Sequence, residues 1–491
     1  DQRYPAAGTA NVSVTLWITT PGGSNPTRVD LGPNPDIYLA RVDWSKDNKT
    51  LYVQRESRDQ KRLDLLAVDP RTGASRTLAT ETAGTWINLN EDFRALKDGS
   101  LIWGSERSGY HHLYRYSGGQ WTQITKGPWV MTGLVGVNEA EHRLFFTANK
   151  DGVLEQHVYS VDYLHPKEPE RLTEEGYWNA AAMDKAGTRI LVTRSSPDQP
   201  PQVYLADTSG RRIKWVEENK LDADHPYAPY LGAHRPIRFG TIKAADGSDL
   251  HWEMITPPLK PGVRYPVFFE HYGGPGSQQV SRAWGSPMRQ YWVSKGWIYF
   301  EIDNRGSSNR GKAFEDQIYH AMGTVEVEDQ ATAARWLEKQ PYVDPKRIAI
   351  SGWSYGGYMT LKMLEKDTIG HYAAGIAGAP VTKWELYDTH YTERYLGNPS
   401  ENPAVYQGSD ALSDASKINA PLLLLHGMSD DNVVFENSSM LADRLQEANR
   451  PFAMMFYVGQ THRIAGEARQ AHVQETIERF LDENVLKAGA R

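Results

Sequence analysis

Among the 491 residues of this chain there is no cysteine. That absence excludes disulfides, thiolate-bound zinc and thiol catalysis, and it leaves the redox compartment open. No His-x-x-x-His spacing occurs, so the helical two-histidine zinc site is excluded as well. The pair His111-His112, in a strand-like stretch, reads as polar surface, and no metal site is expected. No apolar run approaches the roughly 20 residues that cross a bilayer as a helix, so no membrane partner is expected. Basic runs are missing too, and with a net charge of −7 nucleic acid is not an expected partner. The sequence opens at Asp1 with neither a methionine nor a signal-like segment, and the expectation is a processed or truncated product.

Long helical patterns are scarce over residues 1–235, where apolar and polar residues alternate as in strands. Leu51-Tyr52-Val53, Leu101-Ile102-Trp103, Leu144-Phe145-Phe146 and Ile190-Leu191-Val192 recur at a period of between about 40 and 50 residues. Each is followed by a second strand: Leu63 to Leu66, His112 to Tyr116, His157 to Val161 and Gln202 to Leu205. Turn residues and a further strand, such as Trp121 to Ile124, come next. Several short antiparallel strands per repeat predict the C-terminal part of a β-propeller, with four or five blades.

From residue 236 to 491 buried strands alternate with amphipathic helices. Strands are expected at Leu250 to Ile255, Val267 to Glu270, Trp297 to Ile302, Arg347 to Ile350, Ala373 to Ala377, Leu422 to Leu425 and Phe452 to Tyr457. Val327, Ala331, Ala334 and Leu337 make one apolar helical face; Val473, Ile477, Phe480 and Leu481 make another. This grammar predicts an α/β-hydrolase domain, a mostly parallel, doubly wound sheet covered on both faces.

Within it, Gly352-Trp353-Ser354-Tyr355-Gly356-Gly357 lies between a strand and a helix-like segment, the setting of a nucleophile elbow. Ser354 is the candidate nucleophile. A serine hydroxyl needs an imidazole to accept its proton and a carboxylate to orient that imidazole. Asp430 or Asp431, after the strand ending at His426-Gly427, and His462, after the strand ending at Tyr457, supply both in the chain order Ser, Asp, His. Spacing does not choose between the two aspartates.

The chain resembles the prolyl oligopeptidase family of serine peptidases, in its dipeptidyl peptidase IV branch with the bacterial members. The resemblance runs through the elbow, Ser429-Asp430-Asp431-Asn432-Val433, Thr461-His462, and Tyr265-Pro266 to Tyr272-Gly273-Gly274-Pro275-Gly276. It also includes Val381-Thr382-Lys383-Trp384-Glu385-Leu386-Tyr387-Asp388 and Tyr391-Thr392-Glu393-Arg394-Tyr395. It implies Ser354 as nucleophile, Asp430 as the orienting acid and His462 as base, with an oxyanion hole from the Tyr272 hydroxyl and the Tyr355 N–H. Tyr355, Val381, Trp384, Tyr387, Tyr391 and Val433 are implied to line a small apolar pocket, and Asn432 to bind a substrate carbonyl. Trp384, Tyr387 and Tyr391 fall at i, i+3 and i+7, one face if the segment is helical, and such a stripe by itself reads as core.

The implied activity is release of N-terminal dipeptides with penultimate proline or alanine, with no metal and no organic cofactor. An acylaminoacyl peptidase or prolyl endopeptidase is the alternative enzyme, and a propeller binding module with an inert hydrolase domain the alternative non-enzyme. Implied partners are peptides with a free N-terminus, a second copy in a homodimer, and a missing N-terminal propeller segment, including as a separate chain. That segment is expected because family members bind the substrate amine with a glutamate pair that has no counterpart here, and because four or five blades fall short of eight. Periplasmic or secreted localisation is likewise an implication of the resemblance.

Overall fold

The computed structural model describes residues 4–487. Four antiparallel sheets of four strands occupy residues 37–82, 94–123, 131–171 and 178–217, preceded by a two-stranded ribbon, Trp17–Ile18 with Thr27–Arg28. The recurring apolar triplets lie in the second strand of each sheet, and each pairs with the strand that follows it. Alternation along these strands serves two neighbours at once. Phe146 packs with Trp129, Met131 and Tyr159, whereas Phe145, on the opposite face, packs with Ile190, Val192 and Tyr204 of the next sheet. Both phenylalanines are 0% exposed, and each such burial is worth about 2–3 kcal/mol.

The histidine pair departs from its expected surface role. His112 is buried, with Nδ1 3.1 Å from Thr125 Oγ1 and Nε2 3.0 Å from the Gly127 carbonyl. His111 Nε2 meets Asp92 Oδ2 at 2.9 Å. Each ring is taken up by polar partners inside the sheet stack, so neither is available as a ligand.

The C-terminal sheet has eight strands, in the order Ile237–Lys243, Asp249–Ile255, Ile298–Ile302, Tyr265–Glu270, Val343–Trp353, Ala374–Gly378, Leu422–Gly427 and Ala453–Tyr457. The first three neighbours pair antiparallel and the remainder parallel. Sequence reading misses the first strand, a half-exposed edge strand directly after the expected boundary. Alternation sorts the sheet's side chains into two cores. Val267, Phe269, Phe300, Ile350 and Leu424 face one way, with helices Val325–Glu338 and Tyr355–Lys366. Phe268, Tyr299, Ala349, Ile376 and Leu423 face the other, with helices Pro287–Ser294 and Glu467–Leu481.

Polar contacts tie the antiparallel sheets to this domain. Asn88 Nδ2 donates to Glu315 Oε2 at 2.6 Å, Asn149 Nδ2 to the Asn309 carbonyl at 2.7 Å, and Trp284 N–H to Ser195 Oγ at 3.1 Å. The loops after Glu270, Trp353, Gly427 and Tyr457 all leave the carboxyl edge of the parallel strands, where open α/β sheets bind ligands.

Candidate active site

Strand Val343–Trp353 passes into helix Tyr355–Lys366 through Ser354 alone, at φ 61° and ψ −118°. A non-glycine residue in so sparse a region costs about 1–3 kcal/mol, so its surroundings must hold it there. Ser354 N–H donates to the Gly378 carbonyl at 2.8 Å, and its own carbonyl accepts from Tyr358 N–H at 3.0 Å. A Cβ at position 356 would lie 2.5 Å from the His271 carbonyl oxygen and 3.2 Å from Tyr272 Cα. Glycine there lets the helix start abut the Tyr272 turn. The Ser354 side chain does not cap its own helix, and the first N–H groups of a helix lack internal partners, so Tyr355 N–H is a ready donor beside the hydroxyl.

Asp430, and not the exposed Asp431, meets the imidazole: His462 Nδ1 lies 2.8 Å from Asp430 Oδ2. The other oxygen accepts the N–H groups of Asn432 and Val433, both at 2.9 Å. His426, which sequence reading left as a strand residue, completes the set. Its Nε2 faces two acceptors, Asp430 Oδ2 at 3.1 Å and the Val433 carbonyl at 2.9 Å, so it carries the proton there, and Nδ1 accepts from Ser438 Oγ at 2.6 Å. Burial by itself would raise the Asp430 carboxyl. The hydrogen bonds from His426 and His462, the nearby His462 charge and the Asn432 N–H outweigh it and hold the group at about 2.

With Nδ1–H given to Asp430, His462 Nε2 carries the lone pair. Trp353 Nε1 donates to the His462 carbonyl at 3.1 Å, with the two rings 6.5 Å apart, which brings the base loop against the residue before Ser354. Among the described residues no hydrogen bond yet joins Nε2 to Ser354 Oγ. Catalytic hydrogen bonds commonly tighten only when substrate binds.

Tyr272 follows His271, whose Nε2 lies 3.0 Å from Thr360 Oγ1 and 3.2 Å from the Gly356 carbonyl, pinning the turn to the elbow helix. The Tyr272 and Tyr355 rings stand 6.0 Å apart. Burial raises the Tyr272 phenol, which keeps it a donor at neutral pH. Tyr355 directs its hydroxyl away to Glu326 Oε1 at 2.7 Å, a buried carboxylate that also accepts Gly323 N–H at 2.8 Å and Thr324 N–H at 2.9 Å. No spacing signal in the sequence pointed to Glu326, whereas His426, four residues before Asp430, was there to be read.

Tyr355, Val381, Trp384 and Val433 are buried in one apolar cluster, with Tyr272, Tyr387 and Tyr391 packed on it. Trp384 and Tyr391 stack with centroids 6.1 Å apart, and Tyr387 meets Tyr391 edge-on at 5.3 Å. The three aromatics do not share a continuous helix, however. A 3₁₀ turn, Trp384–Leu386, ends at an extended Tyr387 (φ −98°, ψ 168°), and helix Thr389–Leu396 starts anew behind Asp388, whose side chain caps Tyr391 N–H. Tyr387 hydroxyl donates to Asn432 Oδ1 at 2.8 Å, which fixes the amide, and among the described residues Nδ2 has no acceptor.

Two family patterns match the chain: the Prolyl oligopeptidase family over residues 284–488 and the Dipeptidyl peptidase IV (DPP IV) N-terminal region over residues 1–201. It is 30% identical over 470 residues to the "Probable dipeptidyl peptidase 4" of Aspergillus flavus, covering 90% of this chain and 60% of the relative. To dipeptidyl peptidase 8 of Mus musculus it is 30% identical, over 98% of this chain and 63% of the relative. The chain thus spans about 60% of the length of the curated relatives it matches. The crystal structure of Porphyromonas gingivalis dipeptidyl peptidase 4 superposes with a TM-score of 0.93 at 30% identity, over 98% of this chain and 68% of that one.

Proposed function

The chain belongs to the prolyl oligopeptidase family of serine peptidases, and from that premise we propose that it is a serine exopeptidase releasing N-terminal dipeptides with penultimate proline or alanine. The observation that carries the reading is the Asp430–His462 pair, 2.8 Å apart, together with a strained elbow serine and a cluster of aromatic side chains.

In this reading His462 Nε2 takes the Ser354 hydroxyl proton as the oxygen attacks the carbonyl of the second residue of the substrate. Asp430 steadies the imidazolium that results. The Tyr272 hydroxyl and the Tyr355 N–H serve in this reading as the donors to the developing oxyanion. Collapse expels the new amine, which collects the proton from His462, and leaves the dipeptidyl ester on Ser354. Water then repeats the steps and frees the acid. Val381, Trp384, Tyr391 and Val433, with the Tyr355 ring, enclose a compact proline or alanine side chain at little entropic cost because the walls are rigid. Asn432 Nδ2, left free by Tyr387, donates to the carbonyl before the cleaved residue.

The deciding experiment compares Xaa-Pro-anilide with its N-acetylated form. An exopeptidase cleaves the first and rejects the second. Equal rates would replace this reading with the acylaminoacyl peptidase or prolyl endopeptidase alternative.

A further inference from the structure

The extended Tyr387 breaks the helix that the aromatic spacing suggests, and residues 5–8, nearly 380 positions earlier, are what hold it extended. Ala7 N–H donates to the Tyr387 carbonyl and Thr389 N–H to the Pro5 carbonyl, both at 2.9 Å, with Ala6 and Asp388 forming an antiparallel bridge. Gly8 N–H continues the contact to Glu393 Oε1 at 2.8 Å, on the helix that carries Tyr391. The linker bearing Tyr387 is thus one half of a short strand pair.

At the head of this segment stands Tyr4. Its hydroxyl donates to the Asn432 carbonyl at 2.7 Å and lies 3.3 Å from the Leu386 carbonyl, while its ring meets Tyr387 edge-on at 6.1 Å. Asn432 belongs to the loop that carries Asp430; Leu386 and Tyr387 belong to the turn after Trp384. We propose that Tyr4 is a positioning residue for substrate recognition, a clip that joins these two loops and so sets the Tyr387–Asn432 pair that receives the peptide. The inference rests on the reading of Asn432 and Tyr387 as substrate contacts.

Three features support a recognition role over simple packing. The hydroxyl reaches one carbonyl from each loop, so removing it takes away a backbone tie between them without opening a cavity. The side chains it steadies, Asn432 and Tyr387, are already hydrogen-bonded to one another, so a shift of either backbone moves both. Burial and the neighbouring Asp388 and Asp430 charges push the phenol up to about 12, and the clip stays a neutral donor across the physiological range.

The test is Tyr4→Phe, which keeps the ring against Tyr387 and removes only the donor. Hydrogen exchange should quicken in peptides covering 384–389 and 430–433 and stay at the wild-type rate in 347–358. With an Xaa-Pro-anilide, KM should rise about tenfold and kcat change less than about twofold. Exchange and KM both at wild-type values would overturn the clip, and a fall in kcat with unchanged KM would overturn its role in recognition. A wild-type protein whose Ser354 takes up a phosphonate but which cleaves no Xaa-Pro substrate would sink the peptidase reading, and the exchange comparison would still decide the clip.

Discussion

At the scale of single residues, the site concentrates its polar contacts on one carboxylate. Asp430 accepts from two imidazoles and two backbone N–H groups, so it has no freedom to rotate away from His462. Asp430→Asn leaves the shape intact but offers an amide where an acceptor is needed, and kcat should fall by about 10⁴. Ser354→Ala should lower kcat by about a millionfold while leaving the thermal midpoint within about 2 °C of wild type. Substantial residual hydrolysis in that variant would place the nucleophile elsewhere. The depressed Asp430 value has a thermodynamic side. A carboxyl held at about 2 in the folded chain, against an unfolded value near 3.9, stabilises the fold above about pH 4 and loses that contribution as pH falls through about 2. Denaturant titrations from pH 5 to 2 should show a shallower acid loss in Asp430→Asn than in the wild type.

At the scale of elements, the elbow depends on a strand end, a helix start and a turn packed too closely for side chains. Gly356→Ala would press a methyl group on the His271 carbonyl, 2.5 Å away. Part of the helix start or the Tyr272 turn must then move. The expected cost is about 1–3 kcal/mol by urea unfolding, together with a fall in kcat larger than the change in KM, because the proposed donors to the oxyanion, Tyr272 and Tyr355, shift. These elements were legible in the sequence because their signals are local. A buried strand, small residues around a serine and an apolar helix face lie within about 20 residues of one another. The same holds for the four repeating sheets, whose strand-and-turn pattern recurs in order. The edge strand Ile237–Lys243 escaped notice because only half of it is buried. The single helix on which Trp384, Tyr387 and Tyr391 would share a face does not form, and the cause of the break is distant in sequence. Residues 5–8 bridge to Tyr387 and Asp388 across most of the chain, and no window of sequence contains both partners. His111 and His112 were misjudged for a related reason: their partners, Asp92, Thr125 and Gly127, settle whether a polar ring lies inside or outside.

At the scale of the whole molecule, acidic groups are buried where the sheets meet the hydrolase domain. Arg289 lies between Glu253, at 2.5 Å, and Glu301, at 2.7 Å, so one cation serves two carboxylates. Burial raises both against the pull of Arg289, with the Asp303 charge adding to the rise of Glu253 and the Glu253 charge to that of Glu301. Asp303, beside them, is pushed by burial to about 7 although it accepts the N–H groups of Gln279 and Val280. The segment it holds reaches the antiparallel sheets: Gln278 donates to the Val153 carbonyl and Arg282 N–H to the Leu154 carbonyl, at 2.9 and 2.8 Å. A carboxyl whose folded value exceeds its unfolded one binds its proton more tightly in the folded chain. Stability from such groups is full below about pH 4 and declines as pH rises through about 7. The thermal midpoint should therefore fall between pH 5 and 8, and Glu253→Gln should flatten that decline. A midpoint that rose over this interval would contradict the assignment.

The account as a whole turns on the proposal that Ser354, His462 and Asp430 act together beside an aromatic cluster that receives proline. The most direct measurement is peptide mapping after exposure of the folded chain to an Xaa-Pro diphenyl phosphonate. The account predicts a single adduct on Ser354, abolished by His462→Ala. An adduct on another residue, or none on the folded wild-type chain, would contradict it.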